Sequence, residues 1–589
     1  MTHATRGVGS AADRSHESTI RLGGLTVRYP GRRERALDDV SLEVATGERV
    51  GVAGRTGAGK STLALAAGGF IPRVVRAHLT GDISSGGLSA TSLEASTLLG
   101  RVGIVFSTPA NQLSASKQTV REELAFGLEN LAIPRDAMDA RIDSVLERLH
   151  IAHLADREPF ALSGGEQQRV AIASIVAMGT TVLVLDEPTA QLDPAGTVEV
   201  GRLLAELAEG GTTVLCVEHD PAILGTMDRV AVLEQGRIVG IDRPGVALGS
   251  SVLGALGLPS PTHVVLAEAA GIDPALAWDE AVVARGLRQT RGSLSRPAPN
   301  TTPAQGWTPV RQRTGVDVEF SELGHRYENG VEAVRSVSLR IPAGQSVAII
   351  GQNGSGKTTL VKHLNGLLRP TVGEVRLGGK PTTDERVDRL AATVGFVFQN
   401  PDDQLFERSV EREVAFGPRN LGLDAAAIES HVAAALEATG LTDDRTVNPY
   451  DLDLSRRKLV ALASILAMDP AIVVLDEPTA GQDADGIGRV GEVVRAARDA
   501  GRTVIAITHD MEFAATRFDR VVVMRQGVVV ADGTPGEVLA ASQTELLATT
   551  GLTPPPAARL AAALGLPGGT ALDAPSLLAA LGRGVSVPG

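Results

Sequence analysis

Val50-Gly51-Val52-Ala53-Gly54-Arg55-Thr56-Gly57-Ala58-Gly59-Lys60-Ser61-Thr62-Leu63-Ala64-Leu65 reads as a buried strand, a glycine-rich loop and the start of a helix. The loop fits G-x-x-x-x-G-K-[ST]. Its glycines let backbone N–H groups converge on a phosphate, and the helix N-terminus adds its dipole. The pattern recurs as Gly351-Gln352-Asn353-Gly354-Ser355-Gly356-Lys357-Thr358, followed by Thr359. Lys60 and Lys357 are placed to pair with β- and γ-phosphates, and Ser61 and Thr358 to hold Mg²⁺. Two matches, each in strand–loop–helix context, point to two nucleotide sites.

The repeat extends through the chain. Lys60 and Lys357 lie 297 residues apart, whereas Val120 and Val410, and Asp186 and Asp476, lie 290 apart. The first half therefore carries seven extra residues before Val120, five around Phe70 to Thr80 and two just ahead of Val120. Short β-branched runs alternate with amphipathic stretches, which predicts α/β layers. Val182–Leu185 and Ile472–Leu475 read as strands buried on both faces, and Val170–Met178 and Val460–Met468 as buried helices. Each nucleotide unit (20–245 and 316–540) precedes a small helical appendage (246–290 and 541–589). Gly257-Leu258-Pro259 opens the first and Gly551-Leu552-Thr553 the second. Residues 1–19 read as a flexible N-terminus. Residues 291–315, rich in Ser, Pro, Thr and Gln, read as a flexible linker. Such a linker spans roughly 25–30 Å, enough to let the halves pair at an effective concentration of about a millimolar.

Composition narrows the function. The 589 residues are 43% hydrophobic and carry a net charge of −13, which argues against broad nucleic-acid binding. The single cysteine, Cys216, lies in an apolar run and reads as a core thiol; it excludes an internal disulfide and a cysteine-rich zinc site. No secretory signal is evident, and no stretch approaches the roughly 20 apolar residues that span a bilayer. The expectation is a cytoplasmic chain that serves a membrane through partners.

Leu185-Asp186-Glu187-Pro188 and Leu475-Asp476-Glu477-Pro478 end two of the buried strands. At a strand end, the aspartate suits a Mg²⁺ and the glutamate suits a water to be polarised as nucleophile. With Leu162-Ser163-Gly164-Gly165-Glu166-Gln167-Gln168-Arg169 in the first half, the chain resembles a tandem ATPase of the ABC transporter family. The resemblance implies that Tyr29 and Tyr327 stack on adenine; read as isolated tyrosines, they are packing residues. It implies that Gln399 contacts Mg²⁺, that His219 and His509 touch the γ-phosphate, and that Asp193 and Asp483 communicate across a dimer. Read alone, each histidine sits at a helix cap. The segments Val120–Asn130 and Val410–Asn420, with Gln112-Leu113 and Pro401–Phe406, resemble ATPases of energy-coupling factor importers, which take up vitamins or transition-metal ions. That likeness implies a transmembrane coupling subunit, a membrane substrate-binding subunit and a place at the cytoplasmic face of the membrane. Rival readings are the tandem ATPase of a sugar or peptide importer and a soluble ribosome-associated twin ATPase.

The halves differ where it matters. Facing Ser163-Gly164-Gly165 stand Asp453-Leu454-Ser455, and facing Gln399 stands Ser107. In the family, halves pair head to tail, so that each nucleotide sits between the phosphate loop of one half and the signature of the other. The Lys357 site then has Gln399, Glu477, His509 and an intact signature. The Lys60 site keeps Glu187 and His219 but receives Asp453, Leu454 and Ser455. A carboxylate about 4 Å from a phosphate, at an effective dielectric of about 20, is repelled by about 4 kcal/mol before compensation. One consensus and one degenerate site are expected.

Overall fold

The computed structural model describes residues 18–89, 98, 100–162, 164–190, 192, 194–289, 315–566 and 571–582. Most of the expected N-terminal tail and linker, together with Ser163, Asp193 and the residues beyond Gly582, lies outside them. The chain divides into two compact units, one built mainly on residues up to Ala247 and one on Leu248 onward.

The first unit contains β1 (Ser18–Arg28), β2 (Leu37–Ala45), β3 (Arg49–Gly54), β4 (His78–Ser85), β5 (Leu88–Ser89), β6 (Val102–Val105), β7 (Val182–Asp186), β8 (Thr213–Val217), β9 (Arg229–Glu234) and β10 (Arg237–Asp242). An antiparallel sheet has the order β2-β1-β4-β5, and a six-stranded sheet the order β10-β9-β3-β8-β7-β6. In the larger sheet β6, β7, β8, β3 and β9 run parallel, and β10 closes the edge antiparallel. Every residue of β7 and β8 is buried, as the apolar runs predict for strands covered on both faces. In β2 burial alternates, because one face meets the core and the other water. Cys216 is buried in β8.

The second unit repeats this plan with β11 (Val318–Arg326), β12 (Glu332–Ile341), β13 (Ser346–Ile350), β14 (Val372–Leu377), β15 (Lys380–Pro381), β16 (Val394–Val397), β17 (Ile472–Asp476), β18 (Thr503–Ile507), β19 (Arg520–Arg525) and β20 (Val528–Gly533). Its sheets have the orders β12-β11-β14-β15 and β16-β17-β18-β13-β19-β20.

The helices of the first unit that bear on function are α1 (Lys60–Ala67), α2 (Val120–Asn130), α3 (Arg135–Arg148) and α4 (Gly164–Ala177). Thr119 and Glu122 form a capping box that starts α2 at the residue where the two halves fall into register.

The first appendage contributes α5 (Ser250–Ala255), α6 (Thr262–Ala269) and α7 (Glu280–Gln289), and these belong to the second unit. There also lie α8 (Lys357–Val361), α9 (Val410–Asn420), α10 (Ala425–Thr439), α11 (Leu454–Leu466), α12 (Ala484–Asp499), α13 (Met511–Arg517), α14 (Pro556–Ala563) and α15 (Ala574–Gly582). The two appendages share one core, in which Leu266 and Leu287 of the first pack with Leu560, Leu577 and Leu581 of the second. Two or three short helices bury too little apolar surface alone, and pairing supplies the missing face. Glu280 and Arg559 form an ion pair between them, and Arg288 donates to the Ala563 carbonyl. The first appendage also touches the second nucleotide domain. The N–H of Ala484 donates to the Gly257 carbonyl at 2.7 Å, and Thr262 donates to Glu512.

Candidate functional site

Each phosphate loop joins a buried parallel strand to a helix. Gly59 and Gly356 precede α1 and α8 with φ of 105° and 98°. A Cβ on Gly59 would lie 2.3 Å from the Ala36 carbonyl oxygen, and one on Gly356 would lie 2.2 Å from that of Ala333. Glycine is therefore required at both positions by conformation and by space. The rims Arg55-Thr56-Gly57 and Gln352-Asn353-Gly354 are exposed, while Gly54, Ala58, Gly351 and Ser355 are buried. Lys60 and Lys357 are each 6% exposed. Lys60 Nζ donates to the carbonyls of Gly54 (2.8 Å) and Arg55 (3.3 Å), and Lys357 Nζ to those of Gly351 (2.6 Å) and Gln352 (2.8 Å). Each ammonium is thus folded into its own loop. The hydroxyl of Tyr29 lies 3.1 Å from Thr62 Oγ1, and that of Tyr327 lies 3.0 Å from Thr359 Oγ1. Both tyrosines stand beside the first turn of the helix behind the loop.

The carboxylates arrive from the ends of β7 and β17. Ser61 Oγ donates to Asp186 Oδ1 at 3.1 Å, and Thr358 bonds Asp476 in the second half. Burial and the neighbouring glutamate raise both aspartates to about 6. Asp476 Oδ1 is buried and has no hydrogen-bond partner among the described residues. A hydroxyl and a carboxylate with one oxygen unpartnered among the described residues are hard donors that suit Mg²⁺. Among the described residues no group of three or more His, Cys, Asp or Glu forms a cage of protein ligands alone. Phosphate oxygens and water would complete such a site. Gln399 is exposed just past β16, and Ser107 is half-buried at the matching place after β6.

Glu187 and Glu477 have φ of 50° and 49°, an unusual backbone for a residue other than glycine. Their N–H groups donate to Val217 and Ile507, each at 2.9 Å, which holds the strained turn against the next strand. His509 Nδ1 lies 2.8 Å from Glu477 Oε2, whereas His219 Nδ1 lies 3.6 Å from Glu187 Oε1. The side chain of Glu477 is 6% exposed and that of Glu187 is 27% exposed. Burial would raise Glu477, yet the His509 charge and hydrogen bond hold it below its ordinary value. His219 reaches about 9, because its contact with the Glu187 carboxylate and the charge of Glu218 outweigh burial.

Glu218 is a feature that motif reading passes over. It is fully buried and accepts hydrogen bonds from Thr189, from His219 N (2.8 Å) and from Asp220 N (3.1 Å). Thr508 stands in its place in the second half. The signal for it is the difference between Glu218-His219-Asp220 and Thr508-His509-Asp510. Gln112 and Gln404, which carry part of the likeness to energy-coupling factor ATPases, brace the chain where it leaves the sheet. Each side-chain carbonyl accepts the N–H of a phenylalanine just past β6 or β16, Phe106 (3.1 Å) or Phe398 (3.3 Å).

The two signature helices begin differently. Gly164 and Gly165 open α4, and Ser163 lies outside the described residues. In the second half Asp453 is the N-cap of α11, and its Oδ1 accepts the Arg456 N–H at 2.8 Å. The chain's own carboxylate thus occupies the helix N-terminus, the position at which an external anion would be attracted. Arg456 pairs with Asp444 (2.6 Å) and Arg457 with Asp402 (2.8 Å), so both arginines are engaged within their own half. Lys458, which no motif singles out, is 8% exposed, and burial lowers it to about 8.

The ABC transporter family profile matches residues 37–190 and 334–480, one stretch in each half. An ABC transporter ATP-binding protein of Methanosarcina acetivorans is 39% identical over 95% of this chain and 92% of its own length. One of Caldanaerobacter subterraneus is 34% identical over 93% of this chain and 97% of its own length. Among solved structures, cbiO1 from Clostridium perfringens, part of the ABC transporter complex cbiONQ, is 34% identical over 39% of this chain and 93% of that one, with a TM-score of 0.36. Two phosphate loops, two carboxylate pairs at strand ends and a family match in each half lead to one conclusion: the chain belongs to the ABC transporter family as a tandem ATP-binding protein with two ATP-hydrolysing domains.

Proposed function

We propose that the protein is the energy-coupling ATPase of an importer of energy-coupling factor type, in which the Lys357 site hydrolyses ATP and the Lys60 site holds it with little turnover. The observation that carries the unequal assignment is Asp453. In the head-to-tail pairing that the family resemblance implies, the second signature serves the Lys60 nucleotide, and a helix N-terminus already capped by its own carboxylate is a poor partner for a γ-phosphate. The short His509–Glu477 bond supports the complementary role for the other site.

In this reading Lys357, the 351–358 loop and Tyr327 bind ATP. Thr358, Asp476 and Gln399 hold Mg²⁺, Glu477 polarises the attacking water, and His509 orients Glu477 and meets the γ-phosphate. Ser163, Gly164 and Gly165 clamp from the first half. Lys60, Ser61, Asp186, Glu187, His219 and Tyr29 retain the second nucleotide.

A membrane partner fits two features. Among the described residues no helix is long and apolar enough to cross a bilayer. The second half exposes Phe406, Phe416 and Tyr450 (57%, 41% and 50%), large apolar side chains on or beside the segment that resembles energy-coupling factor ATPases. Phe406 and Phe416 stack edge to face at 4.7 Å, a preformed aromatic platform for a helix of a transmembrane subunit at the cytoplasmic face.

A pair of substitutions in the full chain tests this reading. Glu477→Gln is expected to lower steady-state ATPase by about 100-fold or more, and Glu187→Gln by less than about threefold. Equal losses would refute the division between sites.

A further inference from the structure

The altered signature helix of the second half contacts the segment that begins at Glu477 and runs to Asp483. Ser455 and Lys458, one turn apart on α11, face the segment that joins β17 to α12. Ser455 Oγ donates to Gln482 Oε1 at 2.6 Å and lies 3.4 Å from Asp483 Oδ1. Lys458 Nζ donates to the carbonyls of Glu477 (3.2 Å) and Ala480 (2.7 Å). The stem of Lys458 sits among Phe398, Leu462, Leu475 and Val490, where the ammonium has little access to water. Leu454 packs on the same segment: a Cβ on Gly481 would lie 3.1 Å from Leu454 Cδ2.

Glu477 holds a left-handed backbone, so its carboxylate direction depends on the peptides that flank it. One flank is fixed by the N–H bond to Ile507, and the other by Lys458. The first half has Gly165 and Gln168 at the matching positions. Gly165 has no side chain to offer, and Gln168 Nε2 is buried with no hydrogen-bond partner among the described residues.

We infer that Lys458, assisted by Ser455, is a positioning residue for Glu477: a buried ammonium on the altered signature helix clamps the carbonyl side of the strained turn and so aims the base of the Lys357 site. The substitutions that impair the signature of the second half thereby support the catalytic glutamate of that same half. This inference rests on the reading that the Lys357 site is the hydrolytic one.

The experiment compares Lys458→Gln, Ser455→Ala and Glu477→Gln in the full chain. It measures kcat and KM for MgATP per ATP-binding-competent molecule, together with the thermal unfolding midpoint. Lys458→Gln is expected to lower kcat about tenfold with KM within about twofold, because the lost contact acts on the transition state rather than on ATP binding. Ser455→Ala, a small truncation that leaves the Asp453 cap intact, is expected to lower kcat about threefold with the same constancy of KM. Activity that falls only in proportion to lost binding-competent protein overturns the inference, as does a kcat within about twofold of the parent in both variants. If Lys458→Gln does not fold, Ser455→Ala decides alone. Should Glu477→Gln leave ATPase intact, the assignment of the working site fails and this inference falls with it. Should Glu477→Gln abolish activity while the other two variants are silent, this inference alone fails.

Discussion

His509 Nδ1 stands 2.8 Å from Glu477 Oε2, and the equivalent atoms of His219 and Glu187 stand 3.6 Å apart. At 2.8 Å the pair is a charge-assisted hydrogen bond that fixes the glutamate's direction; at 3.6 Å it is a looser electrostatic contact. Lys60 Nζ, 3.9 Å from Glu187 Oε1, competes for the same carboxylate. One glutamate is held close by its histidine and is nearly dry; the other is held more loosely and is wetter, and the phosphate-loop lysine acts electrostatically on each.

The histidines should therefore differ in weight. His509→Ala is expected to lower kcat by about 100-fold, and His219→Ala by less than about threefold, in steady-state measurements with saturating ATP. Comparable losses would contradict the unequal use of the two pairs.

Rebuilding the second signature tests the role of Asp453. The triple change Asp453→Ser, Leu454→Gly, Ser455→Gly keeps an N-cap, since serine caps about as well as aspartate. It also frees the helix N-terminus for a phosphate. Adding Glu187→Gln to this background is expected to remove about half or more of the remaining ATPase, because Ser455→Gly also weakens the Lys357 site, against little in the parent. No new sensitivity to Glu187→Gln would show that the signature does not limit the Lys60 site.

Gly59→Ala and Gly356→Ala should act through the backbone. Each adds a methyl group within 2.3 Å of a carbonyl oxygen, on a residue with φ near 100°. Each is expected to destabilise its half by about 2 kcal/mol or more and to remove nucleotide binding there. Thermal unfolding and fluorescent-nucleotide titration report the two effects separately.

Glu512 gives the appendage contact a pH dependence. Burial raises it to about 7, against the bond from Thr262 that lowers it; Asp510 and Asp573 add to the rise and Arg559 opposes it. The folded state then holds the proton more tightly than the unfolded chain. That stabilisation is full below about 4.5, fades as pH rises towards 7 and is absent above it. Glu512→Gln imitates the protonated form. It is expected to gain on the order of 1–3 kcal/mol over the parent at pH 8 and little near pH 5. A gain independent of pH would exclude titration of Glu512.

The shared core of the appendages is expected to matter more than their surface ion pair. Leu577 is fully buried, and Leu577→Ala should cost about 2–5 kcal/mol within this cluster. Glu280 and Arg559 are each about a third exposed, so Arg559→Ala should cost about 1 kcal/mol or less. Hydrogen exchange in α6 and α14 separates the two. Protection lost equally in both variants would argue that the ion pair joins the appendages as firmly as the leucines do.

Much of the molecule follows from local pattern. Fully buried β7 and β17 are readable as apolar runs ending in Asp-Glu, and Gly59 and Gly356 as glycines that only a loop-to-helix turn demands. The extra residues of the first half fall between α1 and β4 and between β6 and α2, as the change of offset between the repeats requires. The mismatch of Asp453-Leu454-Ser455 with Ser163-Gly164-Gly165 is equally a property of the sequence. Such features declare themselves because strand periodicity, glycine conformation and helix capping act over a few residues.

Tertiary structure alone decided the rest. Thr262 and Glu512 are 250 residues apart, and no periodicity announces that the helices after the first half complete their core with those after the second. Nor does sequence show that Lys458 ends on the carbonyls of Glu477 and Ala480, or that one histidine–glutamate pair closes to 2.8 Å and the other stops at 3.6 Å. Local chemistry sets which groups can bond, but partner and distance follow from how separately formed elements pack, and that is a property of the whole fold.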